Sequence, residues 1–278
     1  MTPTGASTSI STSADSRHPR LKRLAGLIGV ESSASLWRPL AIRQHRHKLR
    51  RDAQYRTWLE SHPGVDGHWG HETVTDELTL LHLGSQVYEI CRMLRRRIGE
   101  LGTRRVLDAG ASDGLFLREI GARRGVGVNF LTSCARKISA EGQLACVADV
   151  ERLPFPSASF DVVMCCETLE HVPNPVSALN ELARVCRGRL FVTIPWLPQT
   201  RINARPDGWP EVESHIFEFS EADFARILTH AHVRVLHRDR IDVFPEPPDP
   251  FLRWWFGRWM YPNFFPRLQY YELTPVHV

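Results

Sequence analysis

Little in this chain points to a membrane, an oxidising compartment or a metal. No apolar run approaches the roughly 20 residues that a membrane-spanning helix needs. The Ser/Thr-rich amino end lacks the apolar centre of a secretory signal, so a disordered tail over residues 1–16 is expected rather than a targeting segment. The six cysteines form no C-x-x-C pair. They sit in apolar surroundings and read as buried, reduced thiols of a cytoplasmic protein. Adjacent Cys165 and Cys166 would point to opposite faces of a strand, which disfavours a redox pair. No His/Cys cluster has zinc spacing, so no metal is expected. Acids are scarce near the amino end: two stand against eleven Lys/Arg between Arg17 and Arg56. That stretch is either a solvated helix face or a surface for nucleic acid, anionic lipid or an acidic partner.

What is present suits a globular α/β chain. At 278 residues and 42% hydrophobic it can bury a large core. Residues 17–74 read as a basic helical extension followed by a Pro/Gly-rich loop that carries Trp69, and residues 75–278 as the main domain. A helix is expected over 75–101, with Val87, Ile90, Cys91, Leu94, Ile98 and Leu101 on one face. Strands follow at about 105–109, 125–130, 144–147 and 159–166. Asn174 as cap and Pro175 at the first helical position start a helix that Gly188 should end. A fifth strand at 189–194 should stop at Pro195. Ser220 opens another helix, and strands six and seven are placed near 233–235 and 268–273. This order predicts a doubly wound, mostly parallel seven-stranded sheet with an antiparallel last strand.

One stretch organises the rest. Val106–Phe116 reads as a buried strand, a small-residue turn and a helix start, which is where open α/β sheets bind nucleotide-like ligands. It lacks the G-x-G-x-x-G of a pyrophosphate cradle. Instead it sets Asp108 before the turn and Asp113 at the expected helix cap. Two carboxylates there repel a pyrophosphate and suit a ligand bearing an ammonium and a sulfonium. Gly110 and Gly114, with Ala111, allow close backbone approach.

Asp108-x-Gly110-x-Ser112-x-Gly114 resembles the first motif, D-x-G-x-G-x-G, of the class I S-adenosylmethionine-dependent methyltransferases, with Ser112 in place of the middle glycine. Three further segments resemble that family, its type 11 branch in particular. They are Ala148–Phe155, Glu167-Thr168-Leu169-Glu170-His171-Val172, and Thr193–Pro195 with His215–Ser220. The resemblance covers about Val106 to Val235 and implies a Rossmann-like methyltransferase fold with S-adenosylmethionine as cofactor. It implies that Asp108, Ala109, Gly110, Ala111 and Gly114 line the cofactor. Asn129 stands where the family has an acid for the ribose hydroxyls. Asp149 and Val150 would read the adenine, and Cys166 and Glu167 would lie beside the methionine part.

For a hydroxyl acceptor, His171 is the first candidate base and His215 the second. No N-P-P-Y-like segment follows strand four, which disfavours nucleobase or glutamine N-methylation. The stretch 244–266 is rich in Trp and Phe and broken by prolines. It reads as an insertion that is a lid or acceptor wall, a dimer contact or a membrane-interface segment. The expected activity is methyl transfer to a small or lipid-linked acceptor at oxygen, with peripheral membrane contact as one option. The alternatives are an RNA methyltransferase using the basic end and a non-catalytic cofactor-binding module. The acceptor and oligomeric state are not readable.

Overall fold

The computed structural model describes residues 42–43, 45–63, 77–197, 199–202, 215–243 and 267–276. The chain divides into two compact units, Met1–Arg43 and Gln44–Val278, and the second holds every element below. Trp69, the 1–16 tail and the 244–266 stretch lie outside the described residues.

Five parallel strands come first: β1 Val106–Ala109, β2 Gly125–Asn129, β3 Leu144–Val147, β4 Phe160–Cys166 and β5 Cys186–Trp196. The short strands β6 Arg201–Ile202 and β7 Phe217–Glu218 form a separate antiparallel pair. The strands β8 Val233–Asp242 and β9 Arg267–Pro275 complete the main sheet. Its order is β3-β2-β1-β4-β5-β9-β8, and β9 runs antiparallel to both neighbours. The order reverses between β1 and β4, so their carboxyl ends form the crevice where open sheets of this kind take ligands.

Helices cover both faces: α1 Ala53–Ser61, α2 Glu77–Ile98, α3 Leu115–Glu119, α4 Thr132–Ala140, α5 Pro175–Val185 and α6 Glu221–Thr229. Strand alternation sorts the core. Leu107, Ala109, Val163, Cys165, Leu190 and Val192 face a cluster with Leu179 and Leu182 of α5 and Phe224 of α6. Asp108, Met164, Cys166, Thr193 and Glu272 therefore point to the other side. On that side lies α2, whose Arg97 reaches the Glu272 carboxylate at 2.6 Å. The apolar stripe foreseen over 75–101 is buried from Val87 to Leu101, although α2 itself ends at Ile98 and Leu101 lies beyond it. From the extension, Tyr55 and Trp58 of α1 pack on Tyr88 of α2 at ring separations of 4.9 and 5.4 Å. The buried Lys48 ammonium pairs with Glu89 at 2.7 Å.

All six cysteines are free, and Cys165 and Cys166 are both buried on opposite faces of β4. No helix among the described residues is long and apolar enough to cross a membrane. Asn174 caps α5 as foreseen, its side chain accepting from Ser177 N at 3.1 Å, and Pro175 occupies the first turn.

Three local expectations are corrected. Gly188 does not end a helix: α5 stops at Val185 and Gly188 lies inside β5. It is there because a Cβ at that position would sit 2.2 Å from the Asp161 carbonyl oxygen. Pro195 does not end β5 either; it pairs with Leu268 near the strand end, where a missing donor is tolerated. Asp113 is not the cap of α3. Gly114, with φ 79°, holds that position, and α3 is a short helix that ends at Glu119.

Gly188→Ala is expected to destabilise the fold by about 1–3 kcal/mol, because the clash is with backbone that cannot rotate away. A urea midpoint equal to wild type would contradict the tight β4–β5 approach.

Candidate active site

The carboxyl ends of β1, β2, β3 and β4 bring together residues that are distant in sequence. After β1 the chain turns back on β2. Gly110 N and Ala111 N both donate to the Val128 carbonyl, at 2.8 and 2.9 Å. Gly114 N donates to Ala111 O at 2.7 Å, and Leu115 N to Asp113 Oδ1 at 2.9 Å. Four amides of the turn are thus engaged already, and this is not the bare amide nest that holds a phosphate. Asp113 still serves the start of α3, one residue further out than expected.

The turn is left-handed at three points: Gly110 at φ 90°, Ser112 at 46° and Gly114 at 79°. Ser112 adopts the angle that a glycine takes at no steric cost. At Gly110 space is also decisive. A Cβ there would lie 2.0 Å from Thr168 Oγ1. Thr168 in turn is held by donating to the Cys166 carbonyl at 3.0 Å. The β1 turn and Thr168, two residues past β4, therefore touch across the switch point.

Two carboxylates flank this contact. Asp108 is 1% exposed, and its Oδ2 has no hydrogen-bond partner among the described residues. Burial, and then the charge of Asp113, pushes its carboxyl up to about 8. Glu167 follows β4 with φ 49°, a strained angle for a side-chain-bearing residue. Its amide donates to Thr193 O at 2.9 Å, and its Oε2 accepts from Gln86 Nε2 of α2 at 2.9 Å. Oε1 has no partner among the described residues. Burial raises this carboxyl above the ordinary range, against the pull of the groups around it.

The other residues singled out from the sequence fall along the same edge. Ala109 and Ala111 are buried under the turn, and Cys166 is buried with its thiol pushed well up by desolvation. Asn129 ends β2. Its Oδ1 accepts from Leu131 N at 2.9 Å, which leaves the side-chain NH2 to donate. Asp149 is exposed, with Oδ1 accepting from Glu151 N at 2.9 Å, and Val150 packs against the core.

Beyond Glu167 a single 3-10 turn, Leu169–His171, carries Glu170 inward. Glu170 is fully buried, and neither carboxylate oxygen has a partner among the described residues. Burial, and then the neighbouring Glu167 charge, raises its carboxyl well above the usual range. Its carbonyl accepts from Ile216 N at 2.8 Å, which ties the turn to the segment before β7. That bond brings the His171 and His215 rings edge to face at 4.9 Å.

Gln86 was not singled out from the sequence, where it is one more polar residue beside the apolar stripe of α2. Thr168 and Glu170 lie in the segment quoted above for its resemblance, but the contact of Thr168 with the β1 turn and the depth of Glu170 had no local signal. Only the strand order makes each of them a neighbour of the turn.

Residues 107–192 match a methyltransferase-domain family. Over 146 residues the chain is 30% identical to the 27-O-demethylrifamycin SV methyltransferase of Amycolatopsis mediterranei, covering 46% of this chain and 51% of that one. It is 28% identical over 191 residues to the ubiquinone biosynthesis O-methyltransferase of Alkalilimnicola ehrlichii, covering 64% and 71%. The chain thus spans about half the length of the first of these relatives. Among solved structures, a SAM-dependent methyltransferase of Leishmania major shares the fold, with a TM-score of 0.53 and 15% identity over 75% of this chain and 81% of that one.

Proposed function

We propose that this chain, which carries a class I S-adenosylmethionine-dependent methyltransferase domain, transfers a methyl group to a hydroxyl oxygen of a small, apolar or lipid-linked acceptor. The observation that carries this reading is the pair of buried carboxylates beside the β1 turn. Asp108 Oδ2 and Glu167 Oε1 there have no hydrogen-bond partner among the described residues. A buried carboxylate without a partner is costly, and a cationic ligand removes that cost. S-adenosylmethionine fits, since it brings an ammonium and a sulfonium, and when bound it supplies an already activated methyl group.

The residues divide the work. Asp108, with Ala109, Gly110, Ala111 and Gly114, shapes the pocket for the amino-acid part, and Cys166 and Glu167 close it from β4. The Asn129 amide serves the ribose, and Asp149 with Val150 the adenine. His171, with His215 against it, faces the acceptor side and ionises the acceptor hydroxyl.

Two observations favour an apolar oxygen acceptor. The names of both curated relatives cited above describe O-methyl chemistry. In addition, β8 and β5 run the same way, so the aromatic 244–266 stretch departs from β8 and rejoins β9 at the ligand edge, where Arg267 pairs with Trp196. An aromatic segment tethered at that edge suits a wall over an apolar acceptor.

Calorimetry with S-adenosylhomocysteine tests the cofactor assignment, and saturable binding is expected. His171→Ala should keep that binding and lose about a hundredfold in turnover of a prenylated hydroxyaryl acceptor. Absence of heat at millimolar ligand, or label from the cofactor entering RNA in place of hydroxyaryl compounds, would sink the proposal.

A further inference from the structure

We propose that Glu170, His171 and His215 form a site for one divalent transition-metal cation, which holds and ionises the acceptor hydroxyl. The inference rests on the methyltransferase reading for the acceptor's place. It departs from the sequence, which led to no expectation of a metal because His171 and His215 lie far apart along the chain.

Geometry carries the argument. One ligand atom from each of the three residues lies within 4.8 Å of the other two. Metal bonds to imidazole nitrogen or carboxylate oxygen are about 2.0–2.2 Å, so two ligands of one ion stand about 3.4 Å apart at a tetrahedral angle and at most about 4.3 Å when trans. The cluster therefore needs closure of at most about 1.5 Å. Two histidines and one carboxylate leave coordination positions open, as in sites that bind a substrate oxygen directly.

Glu170 is the second, independent sign. It is fully buried and both of its oxygens lack a partner among the described residues. The Ile216 amide is spent on the Glu170 carbonyl, not on the carboxylate. That same bond pins the 3-10 turn to the segment bearing His215. Glu218 then lies 3.6 Å from His215 Nδ1. A carboxylate beside a ligand imidazole orients its ring and raises its basicity.

The chemistry balances without a further reactant. A hydroxyl at an open position of the cation releases its proton to water near neutral pH. The resulting oxygen forms the new O–CH3 bond as the C–S bond breaks, and that electron pair stays on sulfur as a neutral thioether. In this arrangement His171 and His215 hold the ion that does the ionising, which replaces direct proton transfer from the acceptor to His171.

The test uses the full chain, stripped with a chelator and titrated with Co2+, read by visible absorption and by metal content after dialysis. One Co2+ per chain is expected, with d–d bands characteristic of mixed nitrogen and oxygen ligands. Glu170→Gln and His215→Ala should each abolish that band, while Glu218→Gln weakens binding by about 10- to 100-fold. Thermal melting of His215→Ala, whose side chain is half-exposed, checks that the variant is folded. No bound Co2+, or binding unchanged in both ligand variants, overturns the site. S-adenosylhomocysteine binding to the stripped protein is measured in parallel. If it persists while Co2+ fails, the metal proposal alone has failed. If Co2+ binds and adenosylhomocysteine does not, the cation site stands and the methyltransferase reading fails.

Discussion

Gly110→Ala is expected to cost at least a hundredfold in affinity for S-adenosylhomocysteine and about 2–4 kcal/mol in stability. Two separate penalties add. The first is conformational: at φ 90° the backbone is in a region that a Cβ disfavours. The second is steric: the added Cβ would stand 2.0 Å from Thr168 Oγ1. Thr168 cannot swing freely, because its hydroxyl is bound to the Cys166 carbonyl. Relief must come from the turn itself, and the turn carries Asp108 with it. Gly142 provides the control. It has φ 76° with nothing within 4 Å of a built Cβ. Gly142→Ala should therefore show the conformational cost alone, about 1–2 kcal/mol, and unaltered ligand affinity. If the two variants melt alike and bind alike, the close contact between the β1 turn and Thr168 is not what shapes the pocket.

Binding of the cationic cofactor is expected to strengthen by up to about tenfold per pH unit as pH rises towards 8, and then to level off. Asp108 is the cause. Its folded carboxyl is pushed up to about 8 from 3.8. A proton and a cationic ligand compete for it, so the ligand gains as the proton leaves.

The same shift makes a stability statement of opposite sign for the ligand-free protein. Between about pH 4 and 8 the folded state keeps a proton that the unfolded chain has released. Stability from this group therefore falls as pH rises through that window, by a total on the order of 5 kcal/mol as an upper bound. His45 and His82 pull the other way, since burial lowers them to about 3 and about 4. Their folded forms shed protons that the unfolded chain still holds, so they favour folding as pH rises towards 6.5. The informative interval is thus pH 6.5 to 8, read as a difference between the two proteins because the raised Glu167 and Glu170 carboxyls are common to both. There, wild type should lose stability relative to Asp108→Asn, and Asp108→Asn should show a shallower affinity profile. Calorimetry in buffers of different ionisation enthalpy should record proton release on binding at pH 7. Affinity that does not change from pH 6 to 8 would remove Asp108 from the cofactor's charge balance.

Much of the architecture was legible in the chain. Continuous apolar runs marked β1, β2, β3 and β4 to within a residue or so. Asn174-Pro175 and Ser220 marked the starts of α5 and α6, because capping depends on atoms only three residues away. The turn after β1 was also readable, because small residues between two acids are a local pattern. Where local signals misled, a distant partner was responsible. Gly188 looks like a helix stop, yet it is required by the Asp161 carbonyl on the adjacent strand. Pro195 looks like a strand stop, yet β9 continues the pairing past it.

The sequence by itself determined where the main-sheet strands and their flanking helices lie, though not the short β6–β7 pair or the full length of β8, and that an acidic, glycine-lined turn closes the first strand. Those features depend on side-chain period and on neighbours within one turn of chain. Tertiary structure alone decided that Gln86 meets Glu167, that Thr168 closes over Gly110, and that Glu170 and His171 gather with His215. Such meetings depend on which strands lie side by side, and hydrophobic periodicity carries no record of strand order.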